Sequence, residues 1–138
     1  EATPDTAAPS EATPALVSYM QAAAAVNAAL ASDDLAASNA ALQKLSALPE
    51  ALIDITAPAQ STDLQTLRKA FLPWSQELAA QGLKLKAQLP GLHVFRCPMT
   101  DKLWPGAPKN AAWIQFNGTL QNPYWGEQMR ECGVEVVP

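Results

Sequence analysis

Apolar side chains recur at three- and four-residue steps through the first two thirds of the chain. This spacing is typical of amphipathic helices, whose buried face returns every 3.6 residues. Ser, Thr and Asp are favoured at helix N-caps, so we expect helices to begin near Ala15, after Asp34 and after Ser61 or Thr62. The recurring positions are Leu16, Tyr19, Met20, Ala23, Val26, Asn27 and Leu30, then Leu35, Leu42, Leu45 and Leu48, then Leu64, Leu67, Phe71 and Leu78.

Short polar breaks separate these helical stretches. Ser32-Asp33-Asp34 ends the first stretch and offers a cap to the second, which runs to Pro49. Pro73 lies inside the third stretch, where it either kinks one long helix or begins a new one, because proline has no N–H to donate. Short helices joined by short connections predict an up-and-down bundle of three to four helices over residues 15–88.

The last third of the chain has a different pattern. Helical periodicity is lost, and 92–95 and 113–116 are typical of short strands, the second followed by the turn signal Asn117-Gly118. Residues 89–138 hold both cysteines, the single histidine, three of the four tryptophans and five of the six glycines. We therefore expect a mostly α domain over 15–138, with a loop-rich C-terminal lobe that contains short β-strands and needs a covalent or metal cross-link.

The N-terminal segment, residues 1–14, predicts a flexible linker. It is rich in Pro, Ala, Thr and Glu, and Glu-Ala-Thr-Pro occurs at 1–4 and again at 11–14. Such a composition has almost nothing to bury. Because the chain starts without Met and without a signal-peptide pattern, we expect either a processed protein or a piece of a longer one.

Composition and charge argue against several classes of protein. The chain has 138 residues, 16% of them charged, and a formal net charge of −4. Without a basic cluster we expect no binding to nucleic acid or to anionic membranes. No apolar run approaches the roughly 20 residues of a membrane span. Phosphate-binding glycine motifs and Cys-x-x-Cys are absent, and the single His93 has no evident Ser or Asp partner, so we expect no enzyme.

Two short sulfur motifs carry the clearest chemical signal. One is Cys97-Pro98-Met99, in which an extended chain would place the two sulfurs on the same side. The other is Met129 to Cys132, in which a helical turn over Glu127–Glu131 would place both sulfurs on one face. Thioether sulfur is a soft ligand that suits copper(I) and silver(I). Together the motifs predict a site for such an ion, with Cys97, Met99, Met129 and Cys132 as ligands.

The same motifs resemble those of a bacterial domain family. Its pattern is Cys-Pro-Met, then Trp, then Asn-Pro-Tyr-aromatic-Gly, Met and Cys-Gly, which compares with 97–99, 122–126, Met129 and 132–133 here. An alanine-rich helical stretch with Phe-x-Pro precedes this pattern, as at 71–73, so the resemblance covers about residues 15–135. One departure is that members often have His just before Cys-Pro-Met, where this chain has Arg96.

This family occurs as small exported proteins and at the C-terminus of periplasmic adaptor subunits of heavy-metal efflux systems. The resemblance implies helices packed with a small metal-handling lobe, in a periplasmic protein that works in copper or silver resistance. It also implies partners among the efflux subunits, the membrane fusion protein included, or a periplasmic metallochaperone.

Each sulfur residue has an alternative interpretation. Cys97 and Cys132 could form a disulfide that closes a loop of about 35 residues, which would leave a stapled protein-interaction module without metal. Met99 and Met129 could simply fill gaps in the core, because methionine adapts to irregular spaces.

Four further residues are secondary candidates. Trp104, Trp113 and Trp125 could shield a monovalent ion or contact it through cation–π interaction, although core packing is the more common role of tryptophan. His93 could join Cys97 and Cys132 in a zinc site, but that arrangement would leave the methionines without a function.

Overall fold

The computed structural model describes residues 11–48 and 55–138, so residues 1–10 of the expected linker lie outside it. Within these ranges three helices are followed by a three-stranded antiparallel sheet. Helices in the first part of the chain and a small sheet in the C-terminal part agree with the expected mixture, although helices make up only about half of the described residues. The elements are α1 (Pro14–Ala31), α2 (Leu35–Ser46), α3 (Leu64–Lys84), β1 (His93–Cys97), β2 (Ala111–Gln115) and β3 (Val134–Glu135), with short 3₁₀ helices at Lys86–Gln88, Thr100–Lys102 and Gly126–Gln128.

Each helix begins at a side-chain cap. Thr13 accepts the N–H of Leu16 ahead of α1, so the last residues of the segment 1–14 belong to the fold. Asp34 caps α2, as expected. Asp63, and not Ser61 or Thr62, caps α3, because its carboxylate accepts the N–H of Thr66.

The apolar stripes predicted for the helices are largely buried. All seven positions of the first stripe are buried in α1, and Leu42, Leu45, Leu67, Phe71 and Leu78 are buried in α2 and α3. Pro73 lies within one continuous α3. Pro73 has no N–H to donate to the Lys69 carbonyl, and both residues lie on the exposed side of α3.

The sheet has the strand order β2-β1-β3. β1 pairs with β2 from His93 opposite Gln115 to Cys97 opposite Ala111. The first two strands lie within one or two residues of the predicted 92–95 and 113–116. β3, in which Val134 pairs with Arg96, was not predicted from the sequence.

The arrangement of the helices is not the simple bundle that their spacing predicted. α1 and α2 pack against each other as a hairpin, whereas α3 packs chiefly on β2 and β1. Gly82 permits this close contact, since a Cβ there would lie 3.0 Å from Leu92 Cδ2 and 3.3 Å from Ile114 Cγ2. The sheet is therefore the surface on which α3 buries its apolar face.

Side chains from the helices and the C-terminal loop satisfy the outer edge of β2. The Ala112 N–H donates to Gln76 Oε1 at 2.8 Å, and the Ala112 carbonyl accepts from Ser75 Oγ and Tyr124 OH at 2.8 and 2.6 Å. Asn27 Nδ2 donates to the Ile114 carbonyl. Covered in this way, the edge is closed to pairing with another chain.

Among the described residues, α1 alone is long and apolar enough to cross a membrane. Within this stretch, 44% of the residues are buried inside the fold.

Candidate metal centre

Pairing of β1 with β3 brings the two cysteines together. Cys97 is the last residue of β1, the central strand. Arg96 lies opposite Val134, and continuing this register by one residue places Gly133 opposite Cys97. Cys132 immediately precedes Gly133, and its Sγ lies 3.0 Å from Cys97 Sγ. Both side chains are free thiols, Cys97 buried and Cys132 half-buried.

Thr100 anchors the turn that follows Cys97. Its side chain is fully buried, and its Oγ1 donates to the Pro108 carbonyl at 2.7 Å. The same oxygen accepts the N–H of Ala111 at 3.0 Å. Thr100 lies three residues after Cys97, whereas Pro108 precedes β2 and Ala111 begins it. The bonds therefore hold the two ends of the loop between β1 and β2 together and fix where the chain turns after Cys97.

Asn122 has the corresponding role in the loop that carries Cys132. It is fully buried, and its Nδ2 donates to the Cys132 carbonyl at 2.8 Å. Its Oδ1 accepts the N–H groups of Tyr124 and Trp125 at 2.9 and 3.1 Å. One side chain thus shapes the turn at Asn122-Pro123-Tyr124 and also holds the far end of the loop in place.

Gly133 allows the chain to pass close to the sheet. A Cβ at this position would lie 2.8 Å from Leu120 Cδ2 and 3.0 Å from Trp113 Cη2. A larger residue would have to displace the end of the Leu120 side chain and press on the Trp113 ring. The glycine of the Cys-Gly pair therefore has a packing role beside the thiols.

Burial raises the pKa of the Cys132 thiol from 9.0 to about 11, and the Cys97 thiol adds to this shift. The backbone N–H of Met99 donates to the Cys132 sulfur and acts in the opposite direction. Near neutral pH the Cys132 side chain is therefore protonated. A metal ion that binds thiolate must displace this proton, so binding to this pair weakens as the pH falls.

The two methionines lie in the turns next to the cysteines, although neither turn has the predicted backbone. Met99 lies in a turn and not in an extended segment, and its side chain is 41% exposed. The 3₁₀ helix ends at Gln128, so Met129 lies just outside it, and the Cys132 N–H donates to the Met129 carbonyl at 3.0 Å. Both methionines therefore contact Cys132 through their main chains.

The structure does not bring His93 to the cysteines. It stands at the opposite end of β1, four residues from Cys97, which corresponds to about 13 Å along a strand. Its Nδ1 lies 2.8 Å from Glu135 Oε2, and its ring stacks on Phe95. Across residues 11–48 and 55–138, no three side chains of His, Cys, Asp or Glu converge, so the zinc grouping of His93, Cys97 and Cys132 is not formed.

The three C-terminal tryptophans have different surroundings. Trp113 is fully buried, packs against Phe95 and Tyr124, and donates its indole N–H to Gln115 Oε1 at 2.9 Å. Trp104 is half-buried with Lys69 Nζ 5.6 Å from its ring centroid. Trp125 is half-buried, and its buried indole nitrogen has no hydrogen-bond partner within residues 11–48 and 55–138. Trp113 is a core residue, and the face of Trp104 already holds a cation.

A polar cluster not anticipated from the sequence fastens the Cys132 loop to the helices. We call it the arginine cluster; it comprises Asp33, Arg68, Glu127 and Arg130. Arg68 Nη2 lies 2.7 Å from Asp33 Oδ1, and Asp33 Oδ2 accepts the N–H of Glu127 at 3.0 Å. Arg130 Nη2 donates to Glu127 Oε2 at 3.1 Å.

Arg68 also holds the loop and α1 directly, through backbone carbonyls. Its Nε donates to the Pro123 carbonyl at 2.7 Å and its Nη2 to the Leu30 carbonyl at 2.6 Å. The sequence signal for this cluster was the second aspartate in Ser32-Asp33-Asp34, because a helix cap needs only one.

Comparison with known proteins gives no relative for this chain. No protein-family model matches it, and no curated protein or solved structure is detectably similar to it. The resemblance to the efflux-associated family therefore stays a prediction from the motifs.

Proposed function

We propose that this chain is a periplasmic binding module for one soft monovalent metal ion, copper(I) or silver(I). The observation that carries the proposal is the pair of free thiols, Cys97 and Cys132, with sulfurs 3.0 Å apart. Met99 and Met129 in the adjoining turns supply thioethers, which favour these ions over zinc, calcium or magnesium. Nothing in this donor set is suited to catalysis, and we propose binding and transfer, not an enzyme.

The spacing of the thiols is compatible with metal capture after a small movement. With metal–sulfur bonds near 2.3 Å, two thiolates on a tetrahedral ion stand about 3.8 Å apart, so the sulfurs must separate by slightly less than 1 Å. Cys97 is fully buried at the end of the central strand, where it is paired with Ala111 of β2. Cys132 lies in a turn, so the opening movement falls to the loop that carries it.

The biological setting is proposed from the motifs. A module of this kind would receive the ion from, or deliver it to, subunits of a heavy-metal efflux system such as its membrane fusion protein, or a periplasmic metallochaperone. Met99, Met129 and Cys132 are partly exposed, which suits such exchange, because an incoming ligand can reach the ion without unfolding the site.

Titration of the reduced protein with copper(I) against a competing chelator tests the proposal. We expect one ion per chain, and we expect Cys97→Ser and Met129→Leu each to weaken binding by roughly tenfold or more, because each removes a ligand. Met20→Leu is the matched control, since Met20 is fully buried in α1. If the two site variants bind as tightly as the Met20 variant, the site is misplaced.

The close thiols also favour a second candidate, a protein-interaction module stapled by a Cys97–Cys132 disulfide and containing no metal. The separation of 3.0 Å exceeds the bond length of 2.05 Å by only about 1 Å. Thiol counting on protein isolated without reductant distinguishes the two. Zero free thiols, together with no metal uptake after reduction, would favour the stapled module.

A further inference from the structure

The two thiols differ in accessibility and in the rigidity of their supports. Cys97 has no exposed surface, and its strand is paired with β2 on one side and β3 on the other. Cys132 is half-buried and ends the turn that begins at Met129. A reagent in solution can therefore reach Cys132 but not Cys97.

The sulfur distance lies between two chemically distinct end states. A disulfide needs the sulfurs about 2.05 Å apart, and a metal chelate needs them about 3.8 Å apart. At 3.0 Å the pair can reach either state by a movement of about 1 Å. The two states exclude each other, because a disulfide leaves neither sulfur as a thiolate.

From this geometry we infer that Cys132 is a site of thiol–disulfide exchange, with Cys97 as the resolving thiol, and that oxidation switches the metal site off. The oxidant is a disulfide compound, either a small molecule or an oxidised dithiol protein. The switching of metal binding rests on the proposed function, whereas the exchange reaction does not.

The reaction proceeds in two balanced steps. Cys132, which is protonated near neutral pH, first loses its proton to solvent. The thiolate so formed attacks one sulfur of the oxidant's disulfide, forms a mixed disulfide and releases the first thiolate of the oxidant. Cys97, as thiolate, then attacks the Cys132 sulfur, forms the Cys97–Cys132 bond and releases the second thiolate. Two electrons pass to the oxidant, and the two protons lost by the cysteines end on its two thiols.

Oxidised glutathione, applied to the metal-free reduced protein, tests the exchange. We expect wild type to lose both free thiols through the internal disulfide, and Cys97→Ser to accumulate a mixed disulfide at Cys132. We expect Cys132→Ser to react roughly tenfold slower or more, because its one thiol is buried. Equal reaction rates of the two variants would contradict the proposed order, in which Cys132 attacks first and Cys97 resolves. A wild-type mixed disulfide that never resolves would contradict it too.

A second measurement on wild type avoids dependence on variants. Rapid acid quenching followed by peptide mass spectrometry should find the first glutathione adduct on Cys132, and an adduct chiefly on Cys97 would refute the inference.

Silver(I) titration of reduced and oxidised wild type then tests the switch. We expect one tightly bound ion in the reduced form and its loss in the oxidised form. Equal binding by both forms would overturn the switch. Failure of the reduced form to bind silver would instead overturn the proposed function and the switch with it, while the glutathione result still decides the exchange reaction.

Discussion

The helical part of the molecule and the C-terminal lobe reach their structures in different ways. In α1, α2 and α3 the apolar residues repeat with the helical period, and their burial stabilises the elements. The lobe has three short strands, the last of only two residues, and long loops between them. There, single buried polar side chains such as Thr100 and Asn122 each fix several backbone groups.

This difference has a consequence for mutation. In the helical part the burial energy is spread over many similar side chains, so loss of one polar group changes little. In the lobe a single polar or glycine residue determines a whole turn, and the cysteines depend on those turns. We expect substitutions in the lobe to affect the thiol pair much more than substitutions of similar size in the helices.

The largest effect is expected where the two regions meet, at Phe71. This fully buried residue of α3 contacts Trp74 and, from the lobe, Tyr124, whose ring centroid is 5.5 Å away. Phe71→Ala should lower the free energy of unfolding by about 3–5 kcal/mol, through lost burial and the cavity left behind. Urea unfolding measures it.

Leu45→Ala in α2 is the control for Phe71→Ala, since α2 packs mainly on α1. It should cost about 2–3 kcal/mol while leaving the reaction of the thiols with oxidised glutathione unchanged in the folded protein. A changed reaction in the folded Leu45 variant would show that the two regions are not separable.

Gly126→Ala should have the next largest effect. Gly126 has φ +62°, and a Cβ there would lie 2.1 Å from Asp33 Oδ1 and 2.6 Å from Arg68 Nη2. We expect a loss of about 2–4 kcal/mol from backbone strain and from disruption of the arginine cluster. Thermal and urea unfolding both report it.

Gly106 offers a matched position for this test. Its φ is +87°, but nothing lies within 4 Å of an added Cβ. Gly106→Ala should therefore cost only the strain of a Cβ at positive φ, about 1–2 kcal/mol of unfolding free energy. Equal losses for the two variants would show that the contacts of the arginine cluster contribute nothing.

Asn122→Ala compares the polar residues of the two regions. It should cost about 2–3 kcal/mol, because it removes the partner of three backbone groups, a buried one of Tyr124 and part-buried ones of Trp125 and Cys132. Asn39→Ala removes two similar hydrogen bonds, between the Asn39 side chain of α2 and the backbone of Ser61 in the segment before α3. These bonds are part-buried, so the variant should lose only about 1 kcal/mol of unfolding free energy.

Only the Asn122 variant should also speed the modification of Cys97 by a thiol reagent, because it loosens the loop that covers this residue. Equal acceleration by Asn39→Ala would contradict the view that Asn122 positions Cys132.

The smallest effect is expected from the charge of Asp33. Partial burial raises the pKa of this carboxyl group, but hydrogen bonds from Arg68 and the Glu127 N–H, together with the charges of Arg68 and Arg130, outweigh burial and lower the pKa below 3.8. The stabilisation is thus present above the ordinary pKa and is lost as the pH falls through the lower value of the folded state.

Urea unfolding of wild type and Asp33→Asn, from neutral pH down to about pH 2, tests the direction of this pH dependence. Asparagine keeps the acceptor oxygen and removes the charge. The difference should be at most about 1 kcal/mol at neutral pH, since Asp33 is partly exposed, and should disappear in acid. A difference in unfolding free energy that grows in acid would contradict the predicted loss of stabilisation at low pH.

The sequence alone determined the helices. Their apolar period is local, so the burial of Leu16, Met20 and Phe71 could be predicted without knowing what covers them. It also indicated the loop-rich lobe and its first two strands. It could not specify that α3 packs on a sheet, because periodicity defines a buried face but not its partner.

The thiol pair was decided by tertiary structure. Local reasoning placed the sulfurs through an extended Cys97-Pro98-Met99 and a helical turn at Met129–Cys132, and neither has that backbone. The cysteines meet because the two-residue strand β3 pairs with β1, supported by Asn122, Gly133 and the arginine cluster. These contacts join residues far apart in the chain, and no short window of sequence contains them.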